Sequence, residues 1–134
     1  MPKASFLQFH NYQVEELSYK STPVSTGQHE FELHPHFQHN IIDCGKDCYD
    51  VHLSVDITSS EEHPMPFQLR VALVGRFTFG DPEGDVSAEN KDIILQKNTI
   101  SILFPFLRSI VASITTSANI PTLILPIMNF SEDK

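Results

Sequence analysis

Four histidines crowd one short stretch of this chain: His29, His34, His36 and His39. His34 and His36 fall on one face of an extended segment with Glu32, and Cys44 and Cys48 follow at C-x3-C. Imidazole, thiolate and carboxylate together are zinc chemistry. The order H-x-H then C-x3-C matches none of the strong zinc spacings, and a dithiol redox pair usually reads C-x-x-C. The segment therefore reads as a solvated strand face with two reduced thiols, and no metal is assigned. Serine, histidine and aspartate are all present, but no G-x-S-x-G elbow or glycine-rich phosphate loop frames them among the five glycines. The acidic pairs Glu15-Glu16 and Glu61-Glu62 fall in a strand irregularity and a turn, and both read as solvated. The residues indicate neither an enzyme nor a cofactor.

The elements that carry these residues are legible from their periods. Tyr49, Val51, Leu53, Val55 and Ile57 alternate with Asp50, His52, Ser54 and Asp56, which is a half-buried strand. Phe67, Leu69, Val71, Leu73, Phe77 and Phe79 repeat the pattern, and the polar turn Ser59-Ser60-Glu61-Glu62-His63-Pro64 makes the two an antiparallel hairpin. Ala72 and Val74 on the second face imply that part of that face is covered too. Upstream, residues 30–42 predict a strand with Phe31, Leu33 and Phe37 in register, and Pro35 favours an edge or a bulge. Residues 10–20 predict a first strand, whose apolar phase slips near Glu15-Glu16 as at a bulge. Residues 21–28 read as a crossover loop.

After a turn at residues 80–85 the period changes. Ile100, Leu103, Leu107, Ile110 and Ile114 form one helical stripe, widened by Phe104 and Val111. Such a width suggests burial against more than one neighbour. Pro105 either opens this helix or interrupts a longer one. Pro121-Thr122-Leu123-Ile124-Leu125-Pro126 is too short for a helix between its prolines and should be extended. Strands followed by helix define one α+β domain over residues 1–134.

The bulk numbers narrow the partners. With 134 residues, one domain is expected. A formal net charge of -8 disfavours nucleic acid and anionic lipid. No secretory signal opens the sequence. No uninterrupted apolar run approaches the roughly 18–20 residues of a membrane span. A cytoplasmic location is expected.

The element order and two motifs resemble the SecB family of bacterial protein-export chaperones. The family pattern I-L-F-P-[YF]-x-R stands here as Ile102-Leu103-Phe104-Pro105-Phe106-Leu107-Arg108. The pattern P-x-L-x-L-x-P-x-N-F is approached by residues 121–130, with the second proline displaced by one place. Looser matches are Tyr12-Gln13-Val14-Glu15-Glu16-Leu17-Ser18-Tyr19, Tyr49-Asp50-Val51-His52-Leu53-Ser54-Val55 and Gly75-Arg76-Phe77-Thr78-Phe79. The resemblance covers most of the chain, and its last third is the specific part.

It implies an ATP-independent holdase for unfolded polypeptides, built as a dimer of dimers, that hands clients to the motor SecA. The implied client-binding residues are Phe31, Leu33, Phe37, Ile120, Leu123, Leu125, Met128 and Phe130. The implied oligomer contacts are the helical stripe of Ile100, Leu103, Phe104, Leu107, Ile110, Val111 and Ile114. The family docks SecA on acidic positions of the exposed sheet face. Glu16 matches one, while Lys20 and Arg70 reverse the charge at two others. Residues 131–134 stand where the family continues into a second helix and a SecA-contacting tail, so that tail is expected to be missing or cut. These departures open a second expectation, a SecB-like chaperone dedicated to one client such as the antitoxin of a toxin–antitoxin system.

Overall fold

The computed structural model describes residues 7–22, 34–62, 64–79 and 88–118, with residues 88–91 described as backbone alone. The elements are β1 Leu7–Ser21, β2 His36–Gly45, β3 Cys48–Ile57, β4 Phe67–Phe79 and α1 Ala88–Ser117. The strands form one antiparallel sheet in the order β1-β4-β3-β2. This is the α+β arrangement expected from the sequence, four antiparallel strands and then a long helix. Residues 30–33 of the predicted second strand, the crossover loop from residue 23 and the extended tail from residue 119 lie outside the described residues.

The period-two pattern sets the faces. In β3, Val51, Leu53, Val55 and Ile57 are buried under α1, and in β4 Leu69, Val71, Leu73 and Phe77 are their counterparts. β3 and β4 are central and covered, so they alternate except where Ser54 and Ala72, opposite each other on the second face, are buried as well, as Ala72 led one to expect. β2 is an outer strand, and Pro35 stands just before it, where a missing donor disturbs no ladder. The phase slip in β1 is a register shift between Val14 and Glu16, and a second shift lies between Phe9 and Asn11. An extra residue lets Tyr12 and Tyr19 both face the core although seven positions separate them.

The helix begins well before Pro105, which lies inside it. The longer-helix alternative therefore holds. Pro105 sits on the exposed side of α1. The carbonyl one turn earlier, on exposed Ser101, loses its backbone donor where water can replace it. Two threonines on the buried side, Thr99 and Thr115, are fully buried and satisfied by Leu95 and Val111 carbonyls one turn back.

The helix lies across the sheet and packs chiefly on β3 and β4. Phe104 turns toward β2, its ring edge-on to Phe37 at 5.7 Å. Phe106 turns toward β1, 5.8 Å from Phe9 and 4.5 Å from Tyr12. Between them Leu103 drops onto Gly75, where the sheet has no side chain.

The segment Asp92–Ser117 is, by length and composition, apolar enough to cross a membrane, with a mean hydropathy of 1.5. The sequence expectation, framed on uninterrupted apolar runs, missed this because serines and threonines punctuate the segment. Its apolar side is the cover of the sheet, with Ile100, Leu103, Leu107 and Val111 fully buried.

Candidate functional site

Of the eight residues expected to bind a client, Phe37 lies among the described residues. Phe31, Leu33, Ile120, Leu123, Leu125, Met128 and Phe130 lie outside them. Phe37 pairs with Val55 on the outer strand β2 and is half-buried. Ile41 repeats its position two residues on, opposite Val51 and also half-buried. With Phe104 beside them, these side chains form a partly covered apolar rim along one edge of the helix–sheet sandwich. Such a rim offers dispersion and desolvation with no hydrogen-bond code, which suits contact with many apolar sequences.

The opposite edge is also apolar. Val14 and Leu17 pair with Leu73 and Val71 on the helix-facing side of the sheet, but α1 does not reach them. They are 43% and 53% exposed, and Ile93 near the start of the helix is 48% exposed. Val14 and Leu17 are thus large aliphatic side chains left open on a sheet edge.

The helical stripe that the resemblance assigns to oligomer contacts lies largely against the sheet of its own chain. Ile100, Leu103, Phe104, Leu107 and Val111 are buried against the sheet of their own chain, at 0–5% exposure. Ile110 and Ile114 flank that face and are half-buried. The stripe is wide because the sheet beneath is four strands across, so the helix buries its centre line and both shoulders in one chain.

The sheet face away from the helix carries charged side chains that pair across strands. Arg70 lies between two acids, with Nε 2.7 Å from Glu16 Oε1 and Nη1 2.6 Å from Asp56 Oδ2. Arg76 grips Asp50 with two hydrogen bonds, at 2.8 and 3.0 Å. His52 Nδ1 lies 2.9 Å from Glu15 Oε1. The sequence reading counted Arg70 as a charge reversal. In place it is the partner of Glu16, so the one acidic position expected to dock a motor is already ion-paired. The β1 bulge, by bringing Glu15 and Glu16 over β4 and β3, makes both contacts, and no local motif would have revealed them.

The Arg76 grip has a measurable consequence. Hydrogen bonding to the guanidinium holds the Asp50 carboxyl below its ordinary value, against a smaller opposing effect of desolvation. A depressed carboxylate contributes stability fully above the unfolded value of about 4, and that contribution disappears as pH falls through the lower folded value. In a side-chain NMR titration, Asp50 should titrate below the ordinary aspartate value. Arg76→Ala should return it to the usual range. An unchanged Asp50 midpoint in that variant would refute the pairing.

Among the described residues no three His, Cys, Asp or Glu side chains converge as a metal site would require. His36 and His39 stand opposite Asp56 and Leu53, on different faces of β2. His29 and Glu32 lie outside the described residues.

The architecture is a long helix laid over one face of a four-stranded antiparallel sheet. Among solved structures it is similar to the Mycobacterium tuberculosis SecB-like chaperone Rv1957, determined in complex with a ChAD peptide from the HigA1 antitoxin. The TM-score is 0.72, and the superposition covers 91% of this chain and 90% of that one. At 14% identity the likeness is one of fold. Residues 4–132 match the family model of SecB, the preprotein translocase subunit, and the chain belongs to the SecB family. That family consists of chaperones rather than enzymes.

Its curated relatives include the protein-export protein SecB of Anaplasma phagocytophilum, 35% identical over 83 residues. That alignment takes in 62% of this chain and 52% of the relative, so it spans about half the length of that protein. SecB of Paramagnetospirillum magneticum is 28% identical over 94% of this chain and 81% of its own length. An uncharacterised protein of Methanocaldococcus jannaschii, MJ0357, is 27% identical over 96% of this chain and 82% of its own.

Proposed function

We propose that this protein is an ATP-independent holdase that binds unfolded or non-native polypeptides and keeps them from folding or aggregating. The observation that carries the reading is the SecB family match over residues 4–132. The apolar rim at Phe37 and Ile41 supports it. Binding proceeds by burial of apolar side chains, at roughly 25 cal/mol per Å² of apolar area. Such burial does not read sequence, which suits a binder of many unfolded chains. A holdase that binds the unfolded state and not the native one draws the folding equilibrium away from native by mass action.

On this reading the groove is lined by Phe31, Leu33 and Phe37 from the second strand and by Ile120, Leu123, Leu125, Met128 and Phe130 after the helix. The protein works in the cytoplasm as a dimer of dimers. Ile110 and Ile114, with the exposed side of α1 and the Val14–Leu17 edge, are the surfaces still open for assembly.

The direct test is refolding of an unrelated denatured protein. An equimolar amount of this protein should slow the recovery of native signal and suppress light scattering. If refolding is unchanged at tenfold excess, the generic holdase reading fails.

A second reading is a chaperone dedicated to one client, without a role in export. Its support is the pairing of Glu16 with Arg70, which any docking of SecA on that face would have to displace. The similar Mycobacterium tuberculosis chaperone was solved holding an antitoxin peptide, which keeps that client class in view. A pulldown separates the two. Retention of SecA together with several unrelated unfolded clients supports export. Retention of a single client and no SecA supports the dedicated role.

A further inference from the structure

The C-x3-C pair gains a geometry that its spacing did not convey. Asp43 pairs with Tyr49, and the next pair is Gly45 with Cys48, with a register shift between them. Cys44 is the extra residue of a bulge, so Cys44 and Gly45 together stand opposite Cys48. The turn beyond closes through Gly45, Lys46 and Asp47, with φ of 92°, 55° and 59°. Asp43 Oδ1 accepts from the Gly45 amide at 2.8 Å, and the Asp47 carbonyl accepts from the Phe79 amide at 2.9 Å. The hairpin end is thereby fastened to its own strand and to β4.

Both sulfurs lie on the polar side of the sheet. Cys48 stands opposite Thr78 in β4 and precedes Asp50 by two positions, which puts it on the face of the Asp50–Arg76 pair. The Cys44 thiol donates to the Ile42 carbonyl at 3.7 Å and also meets the Asp50 carboxylate. Desolvation, the Asp50 carboxylate and the neighbouring Cys48 raise the Cys44 thiol above its ordinary value, Arg76 opposes this, and Arg76 lies near both sulfurs. Cys44 is exposed and Cys48 half-buried, so a small reagent reaches the pair from solvent. Gly45 is the residue directly opposite Cys48, and Cys44, the extra residue beside it, presents its thiol to the same Asp50–Arg76 face. The two thiols are therefore neighbours across the bulge, and a disulfide, with Cβ atoms about 3.5–4.5 Å apart, would draw them together.

We propose that Cys44 and Cys48 are a modification site, a dithiol that closes reversibly into a cross-strand disulfide with a low-molecular-weight disulfide as oxidant. The exposed Cys44, once deprotonated, attacks one sulfur of the reagent. The reagent's S–S bond breaks, one small thiolate leaves, and a mixed disulfide remains on Cys44. The deprotonated Cys48 sulfur then attacks Cys44, the second small thiolate leaves, and the intramolecular bond stands. Two protein thiols are oxidised and one small disulfide is reduced to two thiols. The protons lost by the cysteines end on those two products.

The bond encloses three residues, too short a loop for much chain-entropy stabilisation. Its effect is on register. The bulge absorbs the offset between β2 and β3, and a one-residue slip there would turn Phe37 and Ile41 to the opposite face. A covalent tie across the bulge fixes that offset.

The test uses the native protein with excess glutathione disulfide, followed by alkylation and mass spectrometry. The wild type should lose both alkylatable thiols with a mass decrease of two hydrogen atoms. It should remain a single chain on a non-reducing denaturing gel and regain both thiols with dithiothreitol. Cys44→Ser and Cys48→Ser should each stop at one glutathione adduct. Two stable glutathione adducts on the wild type, disulfide-linked chain dimers or unreacted thiols would each overturn the proposal.

Discussion

Leu103→Ala should cost the folded state about 2–5 kcal/mol, and Gly75→Ala about 1–3 kcal/mol, yet the two together should cost less than their sum. Leu103 is fully buried, so truncation removes apolar contact and leaves a cavity. A methyl group at Gly75 would sit 2.6 Å from Leu103 Cδ2 and 3.2 Å from both Leu103 Cδ1 and Phe77 Cε1. Leu103 and Phe77 have no exposed surface into which to retreat, so the collision displaces α1 or strains rotamers. In the double variant the new methyl enters the space that the leucine vacates. Urea unfolding of the four proteins, followed by circular dichroism at one protein concentration, measures the coupling. Costs that add to within about 0.5 kcal/mol would show that Gly75 and Leu103 do not share one packing site.

The same contact explains which parts of the fold were legible. β3 and β4 are covered by a helix on one face and mostly wet on the other, so burial prints itself on the sequence as alternation, broken at Ser54 and Ala72. The β1 bulge was readable because a phase slip from Tyr12 and Val14 to Leu17 and Tyr19 has few other physical causes. The helix start was not readable from its first half. Among the described side chains of residues 92–99, the buried ones are Leu95 and Thr99, and Pro105 carries the stronger start signal. A proline rule weighs the lost donor and the clash, but not the side of the helix on which they fall. Here they fall toward solvent.

The site was less legible than the fold. Apolar residues at helical spacing look the same whether they meet their own sheet or another subunit, and only the depth of Ile100, Leu103, Leu107 and Val111 separates the two. Charge pairing is equally invisible along the chain. Glu16, Asp56 and Arg70 come from three strands, and their convergence depends on register and on one bulged residue. The thiol pair shows the reverse. Its spacing is visible along the chain, but its arrangement across the hairpin depends on a bulge that no local residue pattern announces.

The groove proposal makes the sharpest demand on residues after the helix. Leu123→Asp or Leu125→Asp should weaken capture of an unfolded client by ten- to about a hundredfold. Burial of a leucine side chain contributes about 1.5–3 kcal/mol, and about 1.4 kcal/mol is a factor of ten in affinity. A carboxylate in the same place must also be desolvated when the client docks, which pushes the loss toward the upper end. The sheet core built on Val51, Leu53, Leu73 and Phe77 does not depend on these positions if they line a groove. Circular dichroism, unfolding midpoint and sedimentation should then match the wild type, while suppression of client aggregation falls. If either variant instead loses its fold or its assembly, these leucines are core or interface. Client contact would then have to be sought at the Phe37–Ile41 rim and the open Val14–Leu17 edge.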